Sequence, residues 1–97
     1  MIMNHPFVRC SHVVSRRVDQ DVFLVDEETT AIHQLNAVGA AIWELLDEPR
    51  KLADILEILH TAFPDKSKKT IKKDIKALLE DFLDEELIEE LDPENVD

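Results

Sequence analysis

A chain of 97 residues holds one small domain, with no room for a second core or for the cleft that most enzymes enclose. Apolar residues make up 44% of it, enough for a core, while a single glycine excludes glycine-rich phosphate loops, whose close backbone approach needs several. The net charge of −11 repels nucleic acid and anionic lipid on average, so either partner would need a local basic patch.

Apolar residues in the first third cluster in short, β-branched runs. Phe7-Val8, Val13-Val14, Val22-Phe23-Leu24-Val25 and Ala31-Ile32 through Leu35 are separated by polar breaks at Ser15-Arg16-Arg17, Asp19-Gln20-Asp21 and Asp26-Glu27-Glu28. This pattern predicts two or three short antiparallel strands. The break at residues 26–29 has the length of a hairpin loop, so residues 22–25 and 30–35 are expected to pair directly.

From Asn36 onward the spacing is helical. Asn36 can cap a first helix on Val38, Ala41, Ile42, Leu45 and Leu46, which ends near Asp47-Glu48 before Pro49. A second helix over about residues 51–62 carries the stripe Leu52, Ile55, Leu56 and Leu59 and stops at Phe63-Pro64. Ser67 can cap a third, with the stripe Ile71, Ile75, Leu78, Leu79, Phe82 and Leu83. No Gly or Pro marks its end, which falls either at Asp84-Glu85 or beyond Leu87-Ile88. The result is a single α+β domain over residues 1–97, frayed at residues 1–6 and 92–97.

The start of the chain has neither the positive nor the apolar region of a signal peptide, and no run approaches the roughly 20 apolar residues that span a bilayer. A lone Cys10 forms no internal disulfide, so a soluble, cytoplasmic protein without membrane contact is expected. Cys10, His5, His12, His33 and His60 are the only soft ligand candidates, and Cys10-x-His12 supplies two where a structural zinc site needs four. The carboxylates fall in surface runs such as Glu85-Glu86 rather than as isolated acids in apolar surroundings. The expectation is no metal, no cofactor and no catalysis. Trp43 is expected to pack in the core rather than stack on a ligand.

Charge is segregated. Lys66, Lys68, Lys69, Lys72, Lys73 and Lys76 face only Asp65 and Asp74 within residues 64–79, a local +4, whereas residues 80–97 hold ten acids and no base. The third helix is therefore basic at its start and acidic at its end, the reverse of what its dipole favours. Two helices joined by Phe63-Pro64-Asp65-Lys66 suit a helix-turn-helix, which suggests a DNA-binding regulator. The later helix, however, offers lysines without the Arg, Asn or Gln that read base edges, so nucleic acid is disfavoured. A second reading uses the sheet: residues 30–35 contain no Lys or Pro to guard an edge, so an extended peptide can add there through main-chain hydrogen bonds. A third has that edge pairing with its own copy in a homodimer.

The run Leu35-Asn36-Ala37-Val38-Gly39-Ala40-Ala41-Ile42-Trp43-Glu44-Leu45-Leu46-Asp47 resembles the PqqD family, named for pyrroloquinoline quinone biosynthesis protein D. Arg17-Val18 with residues 22–25, Ala53-Asp54-Ile55 with Leu59, Ile71-x-x-Asp74-Ile75-x-x-Leu78-Leu79 and Glu86-Leu87-Ile88 extend the similarity over about residues 13–90. The resemblance implies a winged helix-turn-helix, with an N-terminal three-stranded antiparallel sheet followed by three helices. It also implies a recognition element that binds the leader of a ribosomally made precursor peptide as an added strand on the third strand, against the third helix. The core peptide is then presented to a modifying enzyme, either a radical S-adenosylmethionine enzyme or a leader protease followed by a cyclase. Carried over, the strand would be Thr30, Ala31, Ile32, His33, Gln34 and Leu35, and the helix contacts Ile71, Asp74, Ile75 and Leu78, with Lys68 and Lys72 meeting leader acids. Two positions depart from the family pattern, where glycine is usual: Glu86, which suggests that the third helix runs on, and Glu48-Pro49 after the first helix.

Overall fold

In the computed structural model, which describes residues 5–91, four strands precede three helices and a fifth strand follows them. The strands are β1 (Phe7–Arg9), β2 (Val13–Val18), β3 (Asp21–Asp26), β4 (Ile32–Leu35) and β5 (Ile88–Glu90); the helices are α1 (Ala37–Leu45), α2 (Leu52–Ala62) and α3 (Lys68–Asp84). The expected three-stranded antiparallel sheet is present in the order β2-β3-β4. A second, two-stranded sheet joins β1 to β5, with Phe7 opposite Glu90 and Arg9 opposite Ile88. Of the ends expected to fray, residues 1–4 and 92–97 lie outside the described residues. Pro6 is tied down, its carbonyl accepting from the Leu91 amide at 2.8 Å.

Alternation along the larger sheet sends Val13 and Leu24 into the core and turns Val14, Phe23, Val25 and Ile32 to the opposite face. All three helices bury one stripe: Ile42 and Trp43 from α1, Leu52, Ile55 and Leu59 from α2, and Ile71, Ile75, Leu79 and Phe82 from α3. Trp43 is sealed in this core, edge-on to Phe82 with ring centroids 6.1 Å apart, and the Arg9 guanidinium lies 5.3 Å from its ring centre.

Local chemistry sets the helix ends. Asn36 Oδ1 accepts from the Gly39 amide at 2.7 Å, and a Cβ on Gly39 would approach that same oxygen to 3.2 Å. Ser67 Oγ accepts from the Thr70 amide at 3.2 Å. After Pro49, Arg50 exchanges backbone hydrogen bonds with Phe7 and donates from Nε to the Leu45 carbonyl at 2.6 Å, satisfying an orphan acceptor at the end of α1 where the family usually has glycine.

Of the two ends that the sequence leaves open for α3, the structure has the earlier one. The helix stops at Asp84 because Glu86 adopts the left-handed conformation, at φ 58°, that glycine would adopt more readily. The Leu87 amide donates to Phe82 O at 2.9 Å and the Glu86 amide to Leu83 O at 3.1 Å, the paired bonds of a Schellman cap. Leu87 is thereby pulled into the core and the chain is turned into β5.

Candidate functional site

Among the described residues β4 pairs only with β3, so its outer side carries backbone groups that none of them pairs. The opposite edge, β2, is guarded by Arg16 and Arg17, both exposed; β4, Ile-His-Gln-Leu, has no Lys, Arg, Asp or Glu. The hairpin leading into β4 is held by one carboxylate. Asp26 Oδ1 accepts from the amides of Glu28 at 2.9 Å and Thr29 at 3.1 Å, and its Oδ2 lies 3.6 Å from His12 Nε2. Burial by itself would raise the Asp26 carboxyl; these two amides, the His12 imidazole and the Thr29 hydroxyl outweigh it and hold the group below the usual carboxylate range. Thr30 closes the turn in the left-handed region at φ 62°, its amide donating to Asp26 O at 2.7 Å.

Beyond the open edge lies a groove of about 340 Å³. One wall is His33, Gln34, Leu35 and Asn36; the other is Leu78, Asp81, Phe82, Asp84 and Glu85 of α3 and its cap, with Leu87 from the turn. Leu35, Leu78, Phe82 and Leu87 make its base apolar, while three carboxylates rim the helix side. A second recess of about 470 Å³ lies between the sheet and α1, bordered by the Arg17–Glu44 pair at 3.6 Å. It lies on the β3 side of β4, where the strand's backbone is already paired.

Of the residues named from the sequence, His33, Gln34, Leu35 and Leu78 line the groove. Ile32 belongs to β4 but points away on the outer face, 66% exposed. Thr30 and Ala31 precede the strand in the hairpin turn. Ile71 and Ile75 are closed in the core, 3% and 0% exposed, so they shape the helix from beneath rather than face a ligand. Asp74 is half-buried on the same side of α3 as Leu78, one turn before the groove begins. Lys68 and Lys72 are exposed on the first half of the helix, outside the groove. Lys72 stands with Lys69, Lys73 and Lys76 on an open face, and at about 100° per residue that face is turned away from Leu78, Asp81 and Glu85. Sequence reasoning passed over Asp81, Asp84 and Glu85, although acids gathered at the end of a helix against its dipole were a visible signal.

Cys10 lies beside His12, Asp26, Glu86 and Glu89, but burial first, and then the surrounding carboxylates, push its thiol pKa up, opposite to the shift a nucleophile needs. Among the described residues no cluster of His, Cys, Asp and Glu could hold a metal ion, and no helix is long and apolar enough to cross a membrane.

These features define a winged helix-turn-helix whose added sheet leaves an unguarded edge open beside its longest helix. The chain belongs to the PqqD family: residues 21–88, well over half its length, match the model for coenzyme PQQ synthesis protein D. The structure of TbiB1 in complex with the TbiA(beta) leader peptide superposes with a TM-score of 0.74 at 29% identity, covering 84% of this chain and 94% of that one. Lasso peptide synthetase B1 complexed with the leader peptide has the same fold, with a TM-score of 0.74 at 20% identity over 86% of this chain and 96% of its own. No curated protein matches the sequence.

Proposed function

We propose that this protein is a non-catalytic peptide chaperone: it binds the leader of a ribosomally made precursor by strand addition to β4 and presents the attached core peptide to a separate modifying enzyme. The observation that carries this reading is the unguarded β4 edge opening onto a groove whose far wall is the second half of α3. An extended peptide there satisfies the outward main-chain groups of Ile32 and Gln34, those of His33 and Leu35 being turned to β3, and its alternate side chains enter the groove against Leu35, Leu78 and Phe82. Likeness to a solved leader complex over most of both chains supports the same occupant. Groove and edge offer grip and register for an extended chain, and in this reading the chemistry falls to the partner, a radical S-adenosylmethionine enzyme or a leader protease with a cyclase.

The test is titration of isotope-labelled protein with the leader of a short precursor encoded beside its gene. Amide shifts confined to β4 and to residues 78–87 support strand addition. Saturable binding that leaves β4 unshifted contradicts it.

A further inference from the structure

We infer that the groove selects a peptide strand carrying cationic side chains at alternate positions, with Asp81, Asp84 and Glu85 as the specificity-determining residues. This rests on strand addition to β4 and names the chemistry of the strand added.

The helix wall of the groove presents three carboxylates, and the facing wall of His33, Gln34, Leu35 and Asn36 contains no Lys or Arg. None of the three acids takes part in an ion pair among the described residues. Their placement disfavours the free protein. They occupy the last turn and cap of α3, next to the negative end of its dipole, and no base stands in that turn. Asp81 and Glu85 are four residues apart, Asp81 and Asp84 three, so like charges are neighbours on the helix surface. Acids placed only for solubility could have alternated with the lysines of the same helix, which are instead confined to its first half and turned away.

The acids alone would not specify a ligand. The open β4 edge across the same groove does, because only an extended chain pairs with it. A strand so paired turns every second side chain toward α3, about 6.5–7 Å apart. Four residues of helix rise about 6 Å, so two cations at positions i and i+2 of the peptide reach the Asp81 and Glu85 ends of the wall together. The apolar base of Leu35, Leu78, Phe82 and Leu87 lowers the local dielectric and strengthens each pairing relative to open water. Bound cations also neutralise the repulsion that α3 carries when free.

The experiment selects a displayed library of short random peptides in parallel on the full chain and on the triple variant Asp81→Asn, Asp84→Asn, Glu85→Gln. On the native chain, enriched peptides should shift the β4 amides and carry Lys or Arg at two-residue spacing; on the variant that enrichment should vanish. A peptide selected on the native chain should bind the variant about tenfold more weakly, with a shallower dependence on salt. The variant itself should melt higher than the native protein, a gain that a merely structural role for these acids would reverse. Selected peptides that shift β4 but show no cation preference, or that bind both proteins equally, overturn the inference and leave strand addition standing. If no selected peptide shifts β4, both fall.

Discussion

Glu86 holds a backbone conformation that suits glycine, which makes Glu86→Gly a sharp test of how α3 is ended. At φ 58° the glutamate Cβ crowds the following carbonyl, a cost of roughly 1–2 kcal/mol for an L-residue. Glycine removes that cost but gives back about 0.5–1 kcal/mol through the greater freedom of its unfolded chain. Removing an acid just beyond the helix end adds about 0.3 kcal/mol at this exposed position. The two cap hydrogen bonds, at 2.9 and 3.1 Å, use backbone only and survive the change. The net gain is about 0.5–1.5 kcal/mol, a rise in melting temperature of roughly 2–12 °C for a domain of this size. Glu86→Ala loses the charge but keeps the left-handed strain, so it should stay within about 0.5 kcal/mol of the native protein. Thermal denaturation followed by circular dichroism measures both. A Glu86→Gly protein no more stable than Glu86→Ala would refute the cap, and with it the placement of Leu87 at the groove.

Leu78→Glu puts a fourth acid where the groove base is apolar and half-buried, and should weaken leader binding at least tenfold while leaving the fold intact, as calorimetry and circular dichroism would show. Lys68→Glu with Lys72→Glu should leave leader affinity unchanged, since both side chains lie outside the groove; a marked loss in a fluorescence-anisotropy titration would move the binding surface to the first half of α3. Ile75→Ala should instead cost about 2–5 kcal/mol in urea denaturation, as expected of a side chain with no exposure. Asp26 has a lowered folded pKa, so its contribution to stability is present above the usual carboxylate range and is lost as pH falls through the folded value. Asp26→Asn should therefore be less stable than the native protein at neutral pH, with the difference closing on acidification; a gap that stays constant down to strongly acid pH would contradict its role in the hairpin.

The helices, the β3–β4 hairpin and the open edge are legible in the sequence because each is written in local pattern: 3-4 spacing behind Asn36 and Ser67, β-branched runs around an acidic break, and a strand without Lys, Arg, Asp or Glu. The β1–β5 sheet is not, since three-residue strands have no readable period and their pairing brings Phe7 to Glu90 from opposite ends of the chain. The end of α3 was ambiguous because the left-handed turn is made by glutamate, and only the backbone reveals it. Ile71, Ile75 and Leu78 share one stripe, yet only Leu78 reaches the groove. That division depends on where α3 passes β4, and periodicity does not encode the position of one element against another. The same holds for charge. The lysines stood out in the sequence, but the folded helix turns them away and presents its acids to the edge strand instead.

The most direct test of the whole account is the amide spectrum of labelled protein titrated with its leader peptide. Strand addition requires the amides of Ile32, His33, Gln34 and Leu35 to shift and the outward-facing amides of Ile32 and Gln34 to gain protection from hydrogen exchange, together with shifts at residues 78–87. Saturable binding that perturbs Lys69, Lys72, Lys73 and Lys76 while the β4 amides stay unshifted and those of Ile32 and Gln34 gain no protection would contradict it.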